Sequence, residues 1–352
     1  MKLTSIQKDK LKAVRYISLT GIFLGLSFIF FAHGTSRLFP YVTGAIVGLV
    51  GGLMISFLEL YLFARKIRKI KFIWLLTLKS IIYLLIFTTI IFNVVVFSRM
   101  YRLQMTYIEV LNAADFQYYL SNGTFKVEIL YTLSFAFIII FTRMLDKKMG
   151  QGILANYIKG KYFEPIHEAR IVLFINIADS NQLLNKLGPL KFHKFLNQYY
   201  SDLTLPAISN GGIIHEYIED LMVISWTMNI GLTNANCIKT FFNIKSTIDR
   251  KKDWYIKQYG FMPRIRGGLH TGSLVTSEIG EIKTQIVFHG NTMNTTSRIL
   301  DKCYEFKLGL LASDQLIRML GMTKNYKLHT LGNIQLKGKQ TELELFEIKD
   351  NN

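Results

Sequence analysis

The segment His289-Gly-Asn-Thr-Met-Asn-Thr-Thr-Ser-Arg298 joins a short apolar run, Gln285–His289, to a stretch with helical spacing, Asn294–Lys302. The apolar run predicts a strand, so the polar side chains of the segment lie where a strand leads into a helix. Within that helix Asn294 and Arg298 are four residues apart, which places both side chains on one face. A strand that leads into a helix is typical of a mixed α/β domain.

The same α/β texture extends on both sides of this segment, from Arg170 to Ile348. Arg170–Ile177 is rich in branched apolar residues and predicts a buried strand. Helices are expected at Leu183–Leu203 and Cys237–Tyr259 because both carry apolar stripes at helical spacing. The remaining strands are expected at Ile213–Ile218, Leu221–Trp226, Arg264–His270 and Leu308–Ala312, with a closing hairpin over Thr330–Ile348.

Four stretches of the N-terminal half are long and apolar enough to cross a bilayer of roughly 30 Å. They are Tyr16–His33, Tyr41–Phe63, Phe72–Phe97 and Val127–Phe141. The third contains Lys79, which is expected to snorkel or to face a helical partner. We therefore expect a transmembrane anchor over residues 1–145, a juxtamembrane connector over 146–168 and an α/β domain over 169–352.

The composition agrees with this division. Half of the residues are hydrophobic and only 19% are charged, which excludes a disordered chain, and two cysteines exclude a disulfide-rich scaffold. Of the net charge of +18, +11 falls in residues 1–145, where Lys and Arg flank the apolar stretches. The chain is thus expected to be a multi-pass protein of the cell inner or plasma membrane with both termini cytoplasmic. Its charge then points to the lipid bilayer and not to nucleic acid. A cleaved signal peptide is the weaker alternative for the first stretch.

The common catalytic motifs are missing from the sequence. It contains no Walker lysine loop, HExxH pair, GxSxG elbow or CxxC pair, and its seven histidines lack metal-ligand spacing. Motif reading alone leaves an α/β module of unassigned chemistry.

Five polar motifs nevertheless occur in the order seen in class III adenylate/guanylate cyclases, and the domain resembles the catalytic domain of that family. The motifs are Phe174–Asn181, Tyr217–Asp220, Arg266–Gly272, His289–Arg298 and Leu336–Lys339. The resemblance covers roughly residues 150–348. It implies a cytoplasmic ferredoxin-like α/β fold behind a four-helix membrane anchor, as in bacterial membrane-anchored members.

The resemblance also implies a reaction. A nucleoside triphosphate, ATP or GTP, would be converted to a cyclic nucleotide and pyrophosphate by attack of the ribose 3′ oxygen on the α-phosphorus. Mg²⁺ or Mn²⁺ held by carboxylates would be the cofactor. In that family two protomers meet head to tail, so a homodimer would share its active sites. Each site would take metal residues from one chain and the Asn/Arg pair from the other.

Roles of individual residues follow from the resemblance alone. Asn294 would orient the ribose and Arg298 would stabilise the transition state at the α-phosphate. Asp220 would be the second metal carboxylate. The triphosphate would be held by Arg266, by Lys337 at its terminal phosphate, and by backbone N–H groups of Ile177 and Ala178.

Three positions depart from the family pattern. Asn176 stands where the family has its first metal aspartate, and an amide supplies no negative charge. Glu219 replaces the glycine of the family's Gly-Asp hairpin tip, and Asn291 replaces an aspartate. Glu219 or Asp179 would partly compensate for Asn176 if either reached the metal, although we favour the alternative that neither does.

The purine-reading pair falls on Glu216 and Val287. Glu216 resembles the guanylate cyclase residue, whereas the Val287 side chain cannot hydrogen-bond. The pair does not fix the base, and cAMP is expected ahead of cGMP. Two functions remain open: an active membrane-anchored cyclase, and a degenerate pseudo-cyclase that binds nucleotide or regulates signalling.

Overall fold

A computed structural model of the chain describes residues 5–33, 38–62, 72–149, 153–281, 284–321, 325–338 and 341–351. Internal contacts divide the chain into two compact units, Met1–Lys148 and Met149–Asn352. Both are built from regular elements.

The first unit is helical. Its helices are α1 Ser5–His33, α2 Leu38–Phe57, which continues as a π-helical turn over Leu58–Leu62, α3 Phe72–Leu103, α4 Tyr107–Asn112, α5 Ala114–Ser121 and α6 Thr124–Met149. Within the described residues, four helices are long and apolar enough to cross a membrane: α1, α2 with its π turn, α3 and α6. The four expected apolar helices are therefore confirmed, and they indicate a membrane-anchored protein. The short helices α4 and α5 were not expected.

Glycines bring α1 and α2 into direct backbone contact. A Cβ atom placed on Gly44 would lie 2.7 Å from the carbonyl oxygen of Gly25, and one on Gly52 would lie 2.8 Å from Cα of Ser18. One on Gly48 would overlap the Gly21 carbonyl. Small residues at such spacing are how helices pack closely in a bilayer, where the hydrophobic effect gives little help.

Replacement of Gly48 by valine is expected to separate α1 from α2, because the added carbons have no space. Overpacking of this kind costs roughly 1–3 kcal/mol. Thermal unfolding of the full chain in detergent should show a clearly lower Tm. Leu49→Val, at an outward-facing neighbour that is 39% exposed, is the matched control. Equal Tm values for the two variants would contradict the packing described.

A polar cluster joins the π-helical turn to α3. The Lys79 ammonium lies 2.6 Å from Glu59 Oε1, and the Tyr83 hydroxyl donates to the same oxygen at 2.7 Å. Lys79 and Tyr83 are both buried. The expectation that Lys79 faces a helical partner is thus confirmed, since an unpaired ammonium is costly at membrane depth.

The second unit is a sheet covered by helices. It contains α7 Ile153–Ile158, β1 Ile166–Ile177, α8 Ser180–Leu187, α9 Pro189–Ser209, β2 Ile213–Ile218, β3 Leu221–Thr227, α10 Met228–Leu232, α11 Asn236–Asp249, α12 Lys252–Tyr259, β4 Ile265–Ile279, β5 Gln285–His289, α13 Asn291–Glu305, β6 Leu310–Ser313, α14 Asp314–Leu320, β7 Tyr326–Ile334 and β8 Leu343–Asp350. All strands expected from the sequence are present.

The described strands form one mixed sheet in the order β2-β3-β1-β4-β6-β8-β7, and β5 pairs with β4. The pairing of β4 with β6 is parallel and the other pairings are antiparallel. The portion β2-β3-β1-β4, with helices between β1 and β2 and between β3 and β4, has the split βαβ arrangement of a ferredoxin-like fold. The expected α/β fold class is therefore confirmed.

Two of the expected helices are interrupted. Leu183–Leu203 is divided into α8 and α9 at Gly188, whose φ of +71° ends one helix just before Pro189 begins the next. Cys237–Tyr259 is divided into α11 and α12 at residues 250–251. In each case one apolar stripe runs through both helices, which hides the break from periodicity alone.

Side chains of β1 alternate between two cores. Ile171 and Leu173 join a cluster that includes Phe195 of α9 and Phe241 of α11. On the other face, Val172 and Phe174 join a cluster with Ile299 and Leu300 of α13. α13 therefore packs on one face of the sheet, next to the strand ends that carry the candidate site.

Candidate active site

Three candidate residues meet at one edge of the sheet. Asn176 at the end of β1 is the register partner of Arg266 near the start of β4. Asp220 lies at the tip of the β2–β3 hairpin, and its side chain contacts the side chain of Asn176. Strand pairing therefore brings together an amide, a carboxylate and a guanidinium that are distant in the sequence.

Asp220 is a buried carboxylate with an unused oxygen. The residue is 9% exposed, and its Oδ2 has no hydrogen-bond partner among the described residues. Burial raises the pKa of Asp220, while hydrogen bonds from Ser180 and Asn176 side chains act in the opposite direction. A buried acceptor without a donor is costly, and in enzymes such an atom often binds a ligand or ion.

The hairpin tip is held by a tyrosine from α9. The Tyr200 hydroxyl donates to the carbonyl oxygen of Glu219 at 2.8 Å. Glu219 has a φ of +52°, in the left-handed region that favours glycine, and its side chain is exposed. The left-handed φ accounts for the glycine of the family pattern at this position. The bond from Tyr200 holds the hairpin tip in the same conformation with glutamate in its place.

In the turn after β1, the backbone N–H groups expected to bind phosphate already donate hydrogen bonds within the protein. Ile177 N–H donates to Asn176 Oδ1 at 2.5 Å, and Ala178 N–H donates to the carbonyl oxygen of Arg264 at 2.8 Å. Asp179 pairs with the Arg264 guanidinium at 2.6 Å. A phosphate would have to displace these internal bonds or bind at the start of α8, which has no side-chain cap.

Tyr304 of α13 completes this cluster and was missed by sequence reasoning. The guanidinium carbon of Arg266 lies 4.5 Å from the centre of its ring. Its hydroxyl donates to the carbonyl oxygen of Ile177 at 2.8 Å. The available signal was a phenol at the end of the buried stripe of a helix, because such a hydroxyl needs a partner.

Asn294 and Arg298 lie elsewhere, on the solvent side of α13. Asn294 is exposed and Arg298 is half-buried, with Nη1 3.1 Å from Asp301 Oδ2. Gly268 lets the helix approach β4, since a Cβ atom there would lie 2.8 Å from the backbone nitrogen of Leu300. The described chain does not bring this pair to the Asn176 cluster.

The two purine positions lie on strands that do not pair with each other, since β2 pairs with β3 and β5 pairs with β4. Glu216 is an exposed residue of β2 and Val287 is half-buried in β5. The residues next to them, His215 and Phe288, have ring centres 3.8 Å apart. Burial, with a smaller contribution from Arg170, lowers the pKa of His215 to about 3, so this ring is neutral.

Lys337 follows β7, in the turn toward β8. Its neighbour Leu336 is buried in the same cluster as Val172 and Phe174, which fixes the backbone at that point. The Lys337 side chain is exposed. The described atoms show no contact between Lys337 and the Asn176 cluster.

The oxygen atoms of this cluster fit one divalent cation better than two. Asp220 supplies a buried oxygen that has no hydrogen-bond partner in the part of the chain described, and Asn176 Oδ1 has a second lone pair beside its bond from Ile177 N–H. The described residues contain no group of three or more His, Cys, Asp or Glu that could hold a metal. A set of oxygens with one negative charge is compatible with Mg²⁺ or Mn²⁺ that keeps waters and substrate phosphates as ligands.

Replacement of Asp220 by asparagine is expected to stabilise the fold at neutral pH. Because the folded state raises the pKa of Asp220, it binds more protons than the unfolded state. The free energy of unfolding therefore falls as the pH rises from the unfolded-state pKa to the higher folded-state pKa. We expect an increase in Tm on the order of 2–4 °C at pH 7 that disappears in acid. Asp249→Asn, at an exposed residue, is the control and should leave Tm unchanged. A lower Tm for Asp220→Asn at pH 7 would contradict the raised pKa.

Comparison with known proteins identifies the family of the sheet-containing unit. A family model described as the adenylate and guanylate cyclase catalytic domain matches residues 163–349. Adenylate cyclase 2 of Rhizobium meliloti (strain 1021) is 30% identical over 220 residues, which cover 62% of this chain and 61% of that protein. Guanylate cyclase 2G of Rattus norvegicus is 27% identical over 207 residues, 57% of this chain and 18% of that protein. The chain thus spans less than two thirds of either relative.

Among solved structures, a bacterial light-regulated adenylyl cyclase has a TM-score of 0.55 at 18% sequence identity, covering 65% of this chain and 66% of that chain. At that identity the likeness concerns the fold. The family match spans more than half of the chain and includes the strand ends, the hairpin tip and α13. Members of this family depend on metal ions. The chain belongs to the adenylate and guanylate cyclase catalytic domain family.

Proposed function

We propose that the chain is a membrane-anchored nucleotidyl cyclase that forms a cyclic nucleotide and pyrophosphate from a nucleoside triphosphate for intracellular signalling. The observation that carries the proposal is the cluster of Asn176, Asp220 and Arg266, in which a buried carboxylate oxygen has no hydrogen-bond partner among the described residues. Such an oxygen beside a guanidinium suits a cation and a phosphate chain together.

The reaction forms a bond between the ribose 3′ oxygen and the α-phosphorus, and breaks the bond from that phosphorus to pyrophosphate. The hydroxyl proton passes to solvent. Arg266 would hold the triphosphate with Lys337 at its terminal phosphate, Asn294 would orient the ribose, and Arg298 would stabilise charge at the α-phosphate. Asp220 and the Asn176 amide would hold a divalent cation, which when bound offsets phosphate charge and favours ionisation of the attacking hydroxyl.

A homodimer would supply the complete site. Asn294 and Arg298 share one side of α13, away from the Asn176 cluster, which supports sites shared between two copies of the chain. The binding surface for the base would then include Glu216 and Val287. Because the relatives include both adenylate and guanylate cyclases, ATP and GTP remain candidate substrates, with cAMP proposed ahead of cGMP.

Complementation tests the shared site. Arg266→Ala and Arg298→Ala should each be inactive as pure proteins. After co-expression, half of the dimers pair the two variants and keep one intact site of two, so about a quarter of native activity should return. Co-expression of two independently tagged copies of Arg298→Ala is the control. No recovery in the mixed sample would contradict a site built from both chains.

The direct test of the function uses the full chain in detergent or nanodiscs. ATP and GTP are supplied separately with Mg²⁺ or Mn²⁺, and cyclic nucleotide and pyrophosphate are measured together. We expect both products in equal amounts from at least one nucleotide. Absence of cyclic product under every condition from a folded chain would refute an active cyclase.

Asn176 favours a second candidate, a degenerate pseudo-cyclase that binds nucleotide or regulates signalling. The donor set near Asp220 carries one negative charge where the family pattern has two. On this alternative the native chain binds triphosphate without turnover. Nucleotide binding by a chain that forms no product would support it.

We also propose that the protein is multi-pass in the cell inner or plasma membrane, with both termini cytoplasmic. Support comes from the basic segments 2–15 and 65–71 and from Arg143, Lys147 and Lys148, which flank alternate ends of the four apolar stretches. Protease accessibility of terminal tags in oriented vesicles measures this arrangement.

A further inference from the structure

A phenol lies between two elements of the candidate site. Tyr304 is near the end of α13, half-buried, with its ring centre 4.5 Å from the guanidinium carbon of Arg266. Its hydroxyl is bonded to the carbonyl oxygen of Ile177, the residue that follows Asn176. The Tyr304 side chain therefore contacts both the end of β1 and the Arg266 guanidinium, which is expected to hold the triphosphate.

The ring limits the motion of Arg266. A free arginine has several rotatable bonds, and fixing it on a ligand costs conformational entropy. A guanidinium over an aromatic face gains about 0.5–2 kcal/mol, depending on how much water is excluded. Arg266 is half-buried, so its contact with Tyr304 is partly shielded from water.

The hydroxyl fixes the ring in turn. Burial raises the pKa of Tyr304, with a further contribution from the nearby Asp220 carboxylate, so the phenol keeps its proton at physiological pH. It can therefore donate to Ile177 throughout the working range. That bond ties the C-terminal end of α13 to the end of β1, beside Asn176 and Asp220.

We propose that Tyr304 is a positioning residue of the triphosphate site: its ring holds the Arg266 guanidinium in place, and its hydroxyl anchors that ring to the end of β1. The proposal rests on the proposed function for the identity of the ligand, a polyphosphate chain. It concerns binding of that chain, so it is testable whether or not turnover occurs.

The experiment is a double-mutant cycle on the purified full chain. The variants are Tyr304→Leu, Arg266→Ala and the combination, with Tyr304→Phe as the variant that keeps the ring. Calorimetry gives the Kd for inorganic tripolyphosphate in the presence of Mg²⁺. Where the native chain is active, kcat and KM for its nucleotide are measured as well.

We expect Tyr304→Leu to raise the tripolyphosphate Kd, and the KM, about 2- to 30-fold. The effect on kcat should be smaller. Tyr304→Phe keeps the ring over Arg266 but removes its bond to Ile177, so it should raise the Kd less than Tyr304→Leu does. In the Arg266→Ala background, Tyr304→Leu should have no further effect, since the cation that the ring holds is gone.

Independent effects of Tyr304→Leu and Arg266→Ala would overturn the proposal, as would an unchanged Kd in Tyr304→Leu or no tripolyphosphate binding by the native chain. If Tyr304→Leu does not fold, Tyr304→Met replaces it in the same cycle, and Tm measured for each variant identifies that case. Lack of product from ATP and GTP with an intact cycle would refute the cyclase and leave the role of Tyr304 standing.

Discussion

Replacement of Arg298 by alanine is expected to lower kcat for nucleotide cyclisation about 100- to 1000-fold. Negative charge grows on the α-phosphate as the new bond forms, and a guanidinium placed there acts mainly in the transition state. In the structure Arg298 is a half-buried residue of α13 whose described partner is Asp301, at 3.1 Å in an i, i+3 pair. Surface pairs of this kind contribute little to stability. Thus kcat should fall while KM and Tm change little.

Arg318 offers a matched control. It lies on α14 and pairs with Asp314 at 3.1 Å, also within one helix, but far from the family motifs in the sequence. Arg318→Ala should therefore keep native kcat. Initial rates with saturating nucleotide decide the comparison. Equal rates for the two variants would remove Arg298 from the proposed site.

Conversion of Asn176 to aspartate is expected to reduce the half-saturating Mg²⁺ concentration at least tenfold, on the order of the effect of a well-placed ligand group. The new carboxylate would lie beside Asp220, whose Oδ2 is buried and unpartnered among the described residues. Two carboxylates suit a divalent cation far better than one carboxylate and one amide. Activity measured across a Mg²⁺ titration gives the result, and maximal activity should rise with it.

The same substitution should lower stability when metal is chelated. Two like charges at short distance oppose each other in a buried site, so Tm in chelator should fall and Mg²⁺ should restore it. Asn197→Asp, at an exposed residue of α9 outside the family motifs, controls for charge alone. Product formed only by Asn176→Asp would establish a degenerate native site. A silent variant with unchanged metal response would contradict placement of Asn176 at a cation site.

Much of the fold was predictable because its elements carry local signals. The strand Gln285–His289 was expected with its observed bounds, and α13 extends the expected helix by three residues at each end. The helix breaks at Gly188 and at residues 250–251 were not expected, because each lies within a continuous apolar stripe. The helices α4 and α5 are too short for periodicity to identify.

The site was predictable in part. The resemblance of the ordered motifs to the family identified Asn176, Asp220 and Arg266 as candidates. Strand pairing and the hairpin tip then bring these residues together in space. No local pattern could indicate that Tyr304 contacts Arg266, 38 positions earlier in the chain, or that Ala178 N–H donates to Arg264. Those contacts depend on how α13 and the strand ends pack. Packing between residues distant in the chain produces no periodic pattern in the sequence.

The glycine contact between α1 and α2 has a genetic consequence. Every amino acid other than glycine carries a Cβ atom, so every missense change at Gly25, Gly44 or Gly48 places an atom against opposing backbone. Lipid-facing neighbours such as Leu49 and Leu53 accept many apolar substitutions. A saturation library of this segment should therefore show a narrow stripe of intolerance at every fourth codon of α2. Inherited variation in α2 would therefore be rare at Gly44, Gly48 and Gly52 and more common at the exposed residues between them.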